Sequence, residues 1–106
     1  METLAQDLKA AVQTLTEDAR FCHALAYVKD RLPETIRDQK ELTLIEAPTG
    51  HEEKKARRYM QMLEEAGLTD VVMDKHFNVF GKVAGSANSG KSVLLEGHLD
   101  TVFSFG

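Results

Sequence analysis

The sequence predicts an α/β fold in which N-terminal helices are followed by a β-hairpin and then by a buried strand. Apolar residues recur at helical spacing as far as Gly67, which is typical of amphipathic helices. Beyond Gly67 the pattern changes to short extended runs, and residues 93–95 form an apolar run typical of a strand buried on both faces. The 106 residues, 42% of them apolar, suit one small domain with a hydrophobic core.

Two apolar stripes predict the first two helices. They are Leu4, Leu8, Ala11, Val12 and Leu15, followed by Phe21, Leu25, Val28 and Leu32. Thr16 is a candidate N-cap for the second helix, because its hydroxyl oxygen can accept a bond from a first-turn amide. Pro33 can begin a third helix running to about Glu46, since the first turn leaves its amide hydrogens unpaired in any case. We expect both stripes to pack into the core.

A fourth helix is predicted between Thr49 and Gly67. Thr49 and Glu52 have the spacing of a capping box, and Gly67 can end the helix in a left-handed conformation. Its apolar face comprises Ala56, Tyr59, Met60 and Leu63, and its basic residues are Lys54, Lys55, Arg57 and Arg58. Because Glu53 can pair with Arg57 one turn later, we interpret the basic cluster as a solvated face.

Strands are predicted at 71–73, 79–84 and 92–96. Residues 74–78 form the hairpin connection, in which Asn78 can adopt a positive φ. The polar loop 85–90 then leads into the last strand. Gly85, Gly90, Lys91 and Ser92 also match a phosphate-binding P-loop, a motif that requires a helix directly after it. A small nucleotide-binding module therefore stays open as an alternative, and a helix beginning at Lys91 would favour it.

His98 and Asp100 follow the predicted last strand, separated by one residue. Imidazole is the commonest protein ligand for zinc-like ions, and a ligand histidine usually needs a second group to fix its tautomer. A strand end holds the backbone rigid while side chains project into a crevice. We therefore consider His98 a candidate metal ligand and Asp100 the candidate group that orients it.

Composition narrows the function classes. The formal charge of −4, from 17 acidic and 13 basic residues, predicts neither a nucleic-acid partner nor a membrane surface. Cys22 is the single cysteine, so no intrachain disulfide can form, which fits a reducing compartment. The chain has neither a long apolar run nor a basic, apolar N-terminus, and we expect a soluble cytoplasmic protein.

Several segments together resemble one enzyme family. They are 93–102 with its His-x-Asp, 44–53 with its Pro-Thr-Gly and acidic pair, Gly67 with Leu68, Asp74, and Asn78 with Val79. Taken in the order in which they follow along the chain, over about residues 39–103, these segments resemble the zinc-dependent aminoacylase, glutamate carboxypeptidase and succinyl-diaminopimelate desuccinylase family of metallopeptidases. Phe77 departs from the family, which usually has glycine there.

The resemblance implies an N-terminal helical segment at 1–38 and, at 39–106, the first part of a zinc-peptidase-like α/β catalytic domain. It implies hydrolysis of amide bonds in peptides or N-acyl amino acids. The complete family enzymes use two zinc ions with a bridging hydroxide and a glutamate base. By resemblance, His98 is a zinc ligand and Asp100 the catalytic-site aspartate that orients it.

The other family ligands, the base and the lid domain would lie beyond Gly106, so this resemblance also implies an N-terminal fragment that is inactive alone. We further expect self-association through the incomplete sheet. A third interpretation is a non-catalytic α/β interaction domain that keeps the first half of the family fold as a scaffold.

Overall fold

The computed structural model describes residues 2–106 and confirms the α/β class. The helices are α1 (Glu2–Glu17), α2 (Ala19–Asp30), α3 (Leu32–Leu44) and α4 (Glu53–Glu65), and the strands are β1 (Thr69–Met73) and β2 (Val79–Lys82). The chain divides into two compact units, 1–38 and 39–106, with the division falling within α3. None of the helices in 2–106 is both long and apolar enough to cross a membrane.

In the first unit, α1 and α2 are joined by a cap that lies later than predicted. Asp18 is the N-cap of α2, and its Oδ1 accepts bonds from the amides of Arg20 at 2.8 Å and Phe21 at 3.3 Å. Thr16 lies inside α1 instead, where its hydroxyl donates to the carbonyl of Gln13. The prediction of Thr16 as the cap was wrong, because the aspartate two residues on has an acceptor that reaches the first-turn amides.

The apolar stripes of this unit lie on helices, as predicted, but they are not buried. Leu4, Leu8, Val12 and Leu15 of α1 are 49–65% exposed, and Leu25 and Val28 of α2 are 55–65% exposed. Two helices packed side by side cover only the sides that face each other. The expectation that these stripes form a core is therefore wrong for residues 2–38.

In the second unit, α4 packs against the hairpin formed by β1 and β2. Its end is as predicted: Gly67 has φ +85° and the amide of Leu68 donates to the carbonyl of Leu63. Its beginning is not. Glu52 is the N-cap and makes no side-chain bond to the helix, while its Oε1 accepts from the amide of Gly50 at 2.7 Å. The capping box of Thr49 and Glu52 is thus absent, because both side chains bind elsewhere.

The basic residues of α4 do not form one solvated face. Arg57 pairs with Glu53 at 2.6 Å as predicted, and Arg58 pairs with Glu41 and Glu65. Lys55, however, is only 4% exposed, next to the fully buried Ala56. Lys55 therefore lies on the covered side of the amphipathic helix, where its methylene chain contributes apolar surface to the packing.

The hairpin is antiparallel, with Met73 opposite Val79 and an irregularity between Thr69 and Val72. Asp74 shapes the turn, since its Oδ1 accepts from the amides of His76 at 2.8 Å and Asn78 at 3.0 Å. The positive φ falls on Phe77, at +66°, rather than on Asn78 as predicted. Phe77 is the position at which the family resemblance calls for glycine, which adopts that conformation without steric cost.

The predicted last strand, 92–96, is not formed. The chain has no regular secondary structure there, and Val93, Leu94 and Leu95 are 76–90% exposed. A buried strand requires a hydrogen-bonded neighbour and covered faces, and no strand in residues 2–106 pairs with this segment. The apolar run therefore predicted burial that the described part of the chain does not provide.

Candidate metal centre

His98 and Asp100 are in direct contact, although the segment directly before them is not a strand. The Nδ1 atom of His98 lies 3.0 Å from Oδ1 of Asp100 and 2.9 Å from the carbonyl oxygen of the same residue. The imidazole is 85% exposed, whereas the carboxylate is only 34% exposed. The imidazole ring of His98 is thus accessible to solvent, and its Nδ1 atom contacts a partly covered carboxylate.

This contact defines the chemistry available at the imidazole ring. Both oxygens near Nδ1 are acceptors, so Nδ1 carries the proton and donates it. In the neutral ring, the lone pair then resides on Nε2, the nitrogen that faces away from Asp100. An imidazole held in this tautomer by a carboxylate is the arrangement found in carboxylate–histidine–metal triads.

Asp100 has a second partner that sequence reasoning missed. The hydroxyl of Thr49 donates to Oδ2 of Asp100 at 2.6 Å, although the two residues are 51 positions apart. This bond, with a smaller contribution from nearby His98, holds the pKa of the Asp100 carboxyl below its usual value. Asp100 is therefore ionised, and able to accept both bonds, throughout the neutral range.

Backbone contacts bring the two segments together. The amide of Thr101 donates to the carbonyl of Ala47 at 2.8 Å, and Pro48 and Thr101 form an isolated parallel bridge. Ala47 is completely buried. Further along, the amide of Gly106 donates to Oε1 of Glu46 at 3.0 Å. These contacts, rather than a sheet, position His98 and Asp100.

A cleft of about 400 Å³ lies beside the pair. Glu52 and Tyr59, the hairpin turn with His76 and Phe77, and residues 94–100 line it. Within residues 2–106, however, no group of three or more histidine, cysteine, aspartate or glutamate side chains is arranged to hold a metal ion. Among these residues, His98 with Asp100 at its Nδ1 atom could supply one ligand of a metal site.

The P-loop alternative is contradicted by the segment that contains its motif. Residues 83–100 form no helix, so no helix N-terminus or dipole faces Gly85, Gly90 and Lys91. The amide of Lys91 donates instead to the hydroxyl of Ser89 at 3.3 Å. Without a following helix, the phosphate-binding geometry of the motif is missing.

Comparison with known proteins found similarity to one named hydrolase. Over 69 residues, the chain is 44% identical to a protein of Pyrococcus abyssi (strain GE5 / Orsay) named as a LysW-lysine/LysW-ornithine hydrolase, an activity that its name marks as inferred. The match covers 65% of this chain and 19% of the relative, so the chain spans about a fifth of that protein's length. No family model and no solved structure matches the chain. The similarity agrees with the hydrolytic class of reaction that the sequence motifs imply.

Proposed function

We propose that this chain contributes a metal ligand to a zinc-dependent hydrolase of amide bonds, with His98 as the ligand and Asp100 as the residue that orients it. The contact between Nδ1 of His98 and the carboxylate of Asp100 carries the proposal, because it leaves Nε2 free to bind a cation. The 44% identity to a named hydrolase over 69 residues supports the reaction class.

The residues present would supply only part of a catalytic centre. A catalytic zinc takes about three protein ligands and keeps one position for water or substrate. When bound, zinc lowers the pKa of its water and polarises the substrate carbonyl. Here Asp100 would fix the ring of His98, and the cleft lined by Tyr59 and Phe77 would accept part of a substrate. Among residues 2–106, no group of three or more ligand side chains is arranged around His98.

The substrate class that we propose is the N-acylated amino acid or the peptide. The relative's name gives LysW-lysine and LysW-ornithine as the substrates of that protein, and both contain an amino acid. The net charge of −4 supports a small or peptidic substrate rather than a nucleic acid.

Zinc titration of the 106-residue chain tests the ligand assignment. We expect weak binding, with a Kd above about 1 μM, because one imidazole cannot complete a tetrahedral site. His98→Ala should abolish this binding, while His23→Ala, which removes an exposed histidine of α2, should leave it unchanged. Isothermal titration calorimetry measures both Kd values.

Two results would contradict the proposal. Zinc binding that His98→Ala leaves intact would show that other residues are the ligands. Hydrolysis of N-acyl amino acids or dipeptides by the 106-residue chain alone would show that the catalytic groups lie within it. We expect no such activity.

A further inference from the structure

Thr49 lies in the short segment that the backbone ties to the candidate metal centre. The amide of Thr101 is bonded to the carbonyl of Ala47, and Pro48 forms a bridge with Thr101. These two contacts place Thr49 beside Asp100, the residue directly before Thr101. Its hydroxyl hydrogen is donated to Oδ2 of Asp100 at 2.6 Å. Thr49 thus reaches the site through an anchored backbone, not through a free loop.

The two oxygens of Asp100 have different donors. Oδ1 faces Nδ1 of His98 at 3.0 Å, and Oδ2 faces the hydroxyl of Thr49 at 2.6 Å. A carboxylate held at one oxygen can rotate about its bond to the Cβ atom, whereas one held at both oxygens has a fixed plane. Water could replace the hydroxyl as a donor, but it would not be attached to the backbone and would not fix that plane.

The hydroxyl of Thr49 does not cap α4. The sequence pattern predicts that it caps α4, yet Glu52 occupies the N-cap position and no amide of α4 bonds to Thr49. A role in helix capping therefore does not explain why a hydroxyl is needed at this position. Its single hydrogen-bonding partner in the described structure is the carboxylate that orients His98.

We propose that Thr49 is a positioning residue of the candidate metal centre. It locks the carboxylate plane of Asp100, and thereby keeps the proton of His98 on Nδ1 and the lone pair on Nε2. It also keeps Oδ2 of Asp100 occupied, so that this carboxylate orients the histidine and does not turn towards a cation itself. This inference rests on the proposed function of His98 as a metal ligand.

Two variants in the 106-residue chain separate the hydroxyl from the shape of Thr49. Thr49→Val removes the donor and nearly keeps the shape, whereas Thr49→Ser keeps the donor. The matched control is Thr43→Val, since the hydroxyl of Thr43 donates to the carbonyl of Gln39 within α3 and lies outside the site. An unchanged chemical shift of the Thr101 amide proton shows that the backbone contact with Ala47 persists in each variant.

The first measurement requires no metal. Nitrogen-15 NMR of the imidazole, recorded at about pH 8.5 where an ordinary histidine is neutral, gives the ratio of the two ring tautomers. We expect the proton of His98 to reside mainly on Nδ1 in the wild-type chain, in Thr49→Ser and in Thr43→Val. In Thr49→Val the tautomer ratio should shift partly towards Nε2–H, because the carbonyl oxygen of Asp100, 2.9 Å from Nδ1, still accepts the proton.

The second measurement is a zinc titration followed through the His98 ring signals, with His23 as an internal reference. Groups that contact a ligand histidine directly change metal affinity by about 10- to 100-fold. Because Thr49 acts one bond further away, we expect Thr49→Val to raise the zinc Kd about 3- to 10-fold. Thr49→Ser should lie within about twofold of the wild type, since its donor is kept.

The outcomes distinguish this inference from the proposed function. If zinc shifts the His98 signals and Thr49→Val changes neither the tautomer ratio nor the zinc Kd, the inference is wrong while the ligand assignment stands. If Thr49→Ser behaves like Thr49→Val, shape rather than the hydroxyl matters, and the inference is also wrong. If zinc leaves the His98 signals of the wild-type chain unchanged, the proposed function fails, and the role of Thr49 towards a metal fails with it.

Discussion

Two neighbouring regions of the second unit are held in place by different kinds of interaction. Residues 53–82 form α4 and the hairpin, with regular backbone bonds and a completely buried Ala56. Residues 83–106 have no helix or strand, and Val93 and Leu95 are about nine-tenths exposed. The second region nevertheless contains His98 and Asp100. The candidate site therefore lies in the region that has fewer regular backbone hydrogen bonds and less buried surface.

This difference separates stability from site geometry. The free energy of unfolding of this unit should depend on the packing between α4 and the hairpin, because burial of apolar surface dominates stability. The geometry of His98 should depend instead on a few contacts, chiefly those of Thr49 and Thr101. Substitutions in the two regions ought to affect different observables, and the following predictions test this division.

The largest stability loss is expected for Ala56→Leu. Ala56 has no exposed surface, so three additional carbon atoms would force α4 and its surroundings apart at a cost of about 1–3 kcal/mol. Ala84→Leu, at an exposed position of the irregular segment after β2, should stay within about 0.5 kcal/mol of the wild type. Urea unfolding measures both free energies, and equal losses would show that the second region is packed as tightly as the first.

A matched pair of glycines provides a smaller but cleaner comparison. Gly67 has φ +85° with open space where a Cβ would lie, so Gly67→Ala should lose about 1 kcal/mol through backbone strain alone. Gly97 also has open space but no positive φ, so Gly97→Ala should be neutral to within about 0.5 kcal/mol. The same urea measurement tests both, and a cost at Gly97 equal to that at Gly67 would contradict this comparison.

Acid should weaken the hairpin through Asp74. A hydrogen bond from the Asn78 side chain, with further bonds from the amides of Asn78 and His76, holds the pKa of Asp74 below its usual value. A lowered pKa in the folded state means that the carboxylate stabilises the hairpin above its unfolded pKa, about 3.9, and that this contribution is lost as the pH falls through the folded pKa.

Asp74→Asn removes the titrating group and should therefore flatten this part of the pH dependence below about pH 4. The measurement is the free energy of unfolding of the wild type and the variant at several acidic pH values. A difference between the two proteins that stays constant with pH would show that the turn does not depend on an ionised Asp74.

An equally small effect on stability is expected for Leu94→Ser in the exposed region. Leu94 is 76% exposed, so the free energy of unfolding should change by no more than about 0.5 kcal/mol. We propose that this apolar segment mediates self-association, which Leu94→Ser should weaken. Analytical ultracentrifugation of the wild type and the variant tests this, and an unchanged monomer fraction would contradict it.

The helices and the hairpin could be predicted because their signals are local. The spacing of Leu4, Leu8 and Val12 indicates a helix from residues in neighbouring turns alone. Gly67 indicates a helix end because glycine can adopt a left-handed conformation. The strand predicted from the apolar run 93–95 is not formed, because a strand depends on partners that are distant in sequence. Elements specified by residues close in sequence were therefore predicted correctly, whereas the strand that needs distant partners was not.

The site was predictable only in part for the same reason. His98 and Asp100 are two positions apart, so their contact follows from a short motif. The bond between Thr49 and Asp100 spans 51 positions, and the nearby Glu52 offered a local capping interpretation instead. The signal that could have revealed Thr49 was that it and Asp100 both lie within the motifs that carry the family resemblance.

The contact between Ala47 and Thr101 has a kinetic consequence. The two residues are 54 positions apart, and closing a flexible loop costs entropy that increases with its length. Once α4 and the hairpin have folded, far fewer residues remain free to close, so this contact should form late, after the main folding barrier. Interactions formed after the barrier govern how fast a structure opens, not how fast it folds. The Thr101 amide should therefore exchange its hydrogen with solvent through brief local openings, much faster than the amides in the middle of α4.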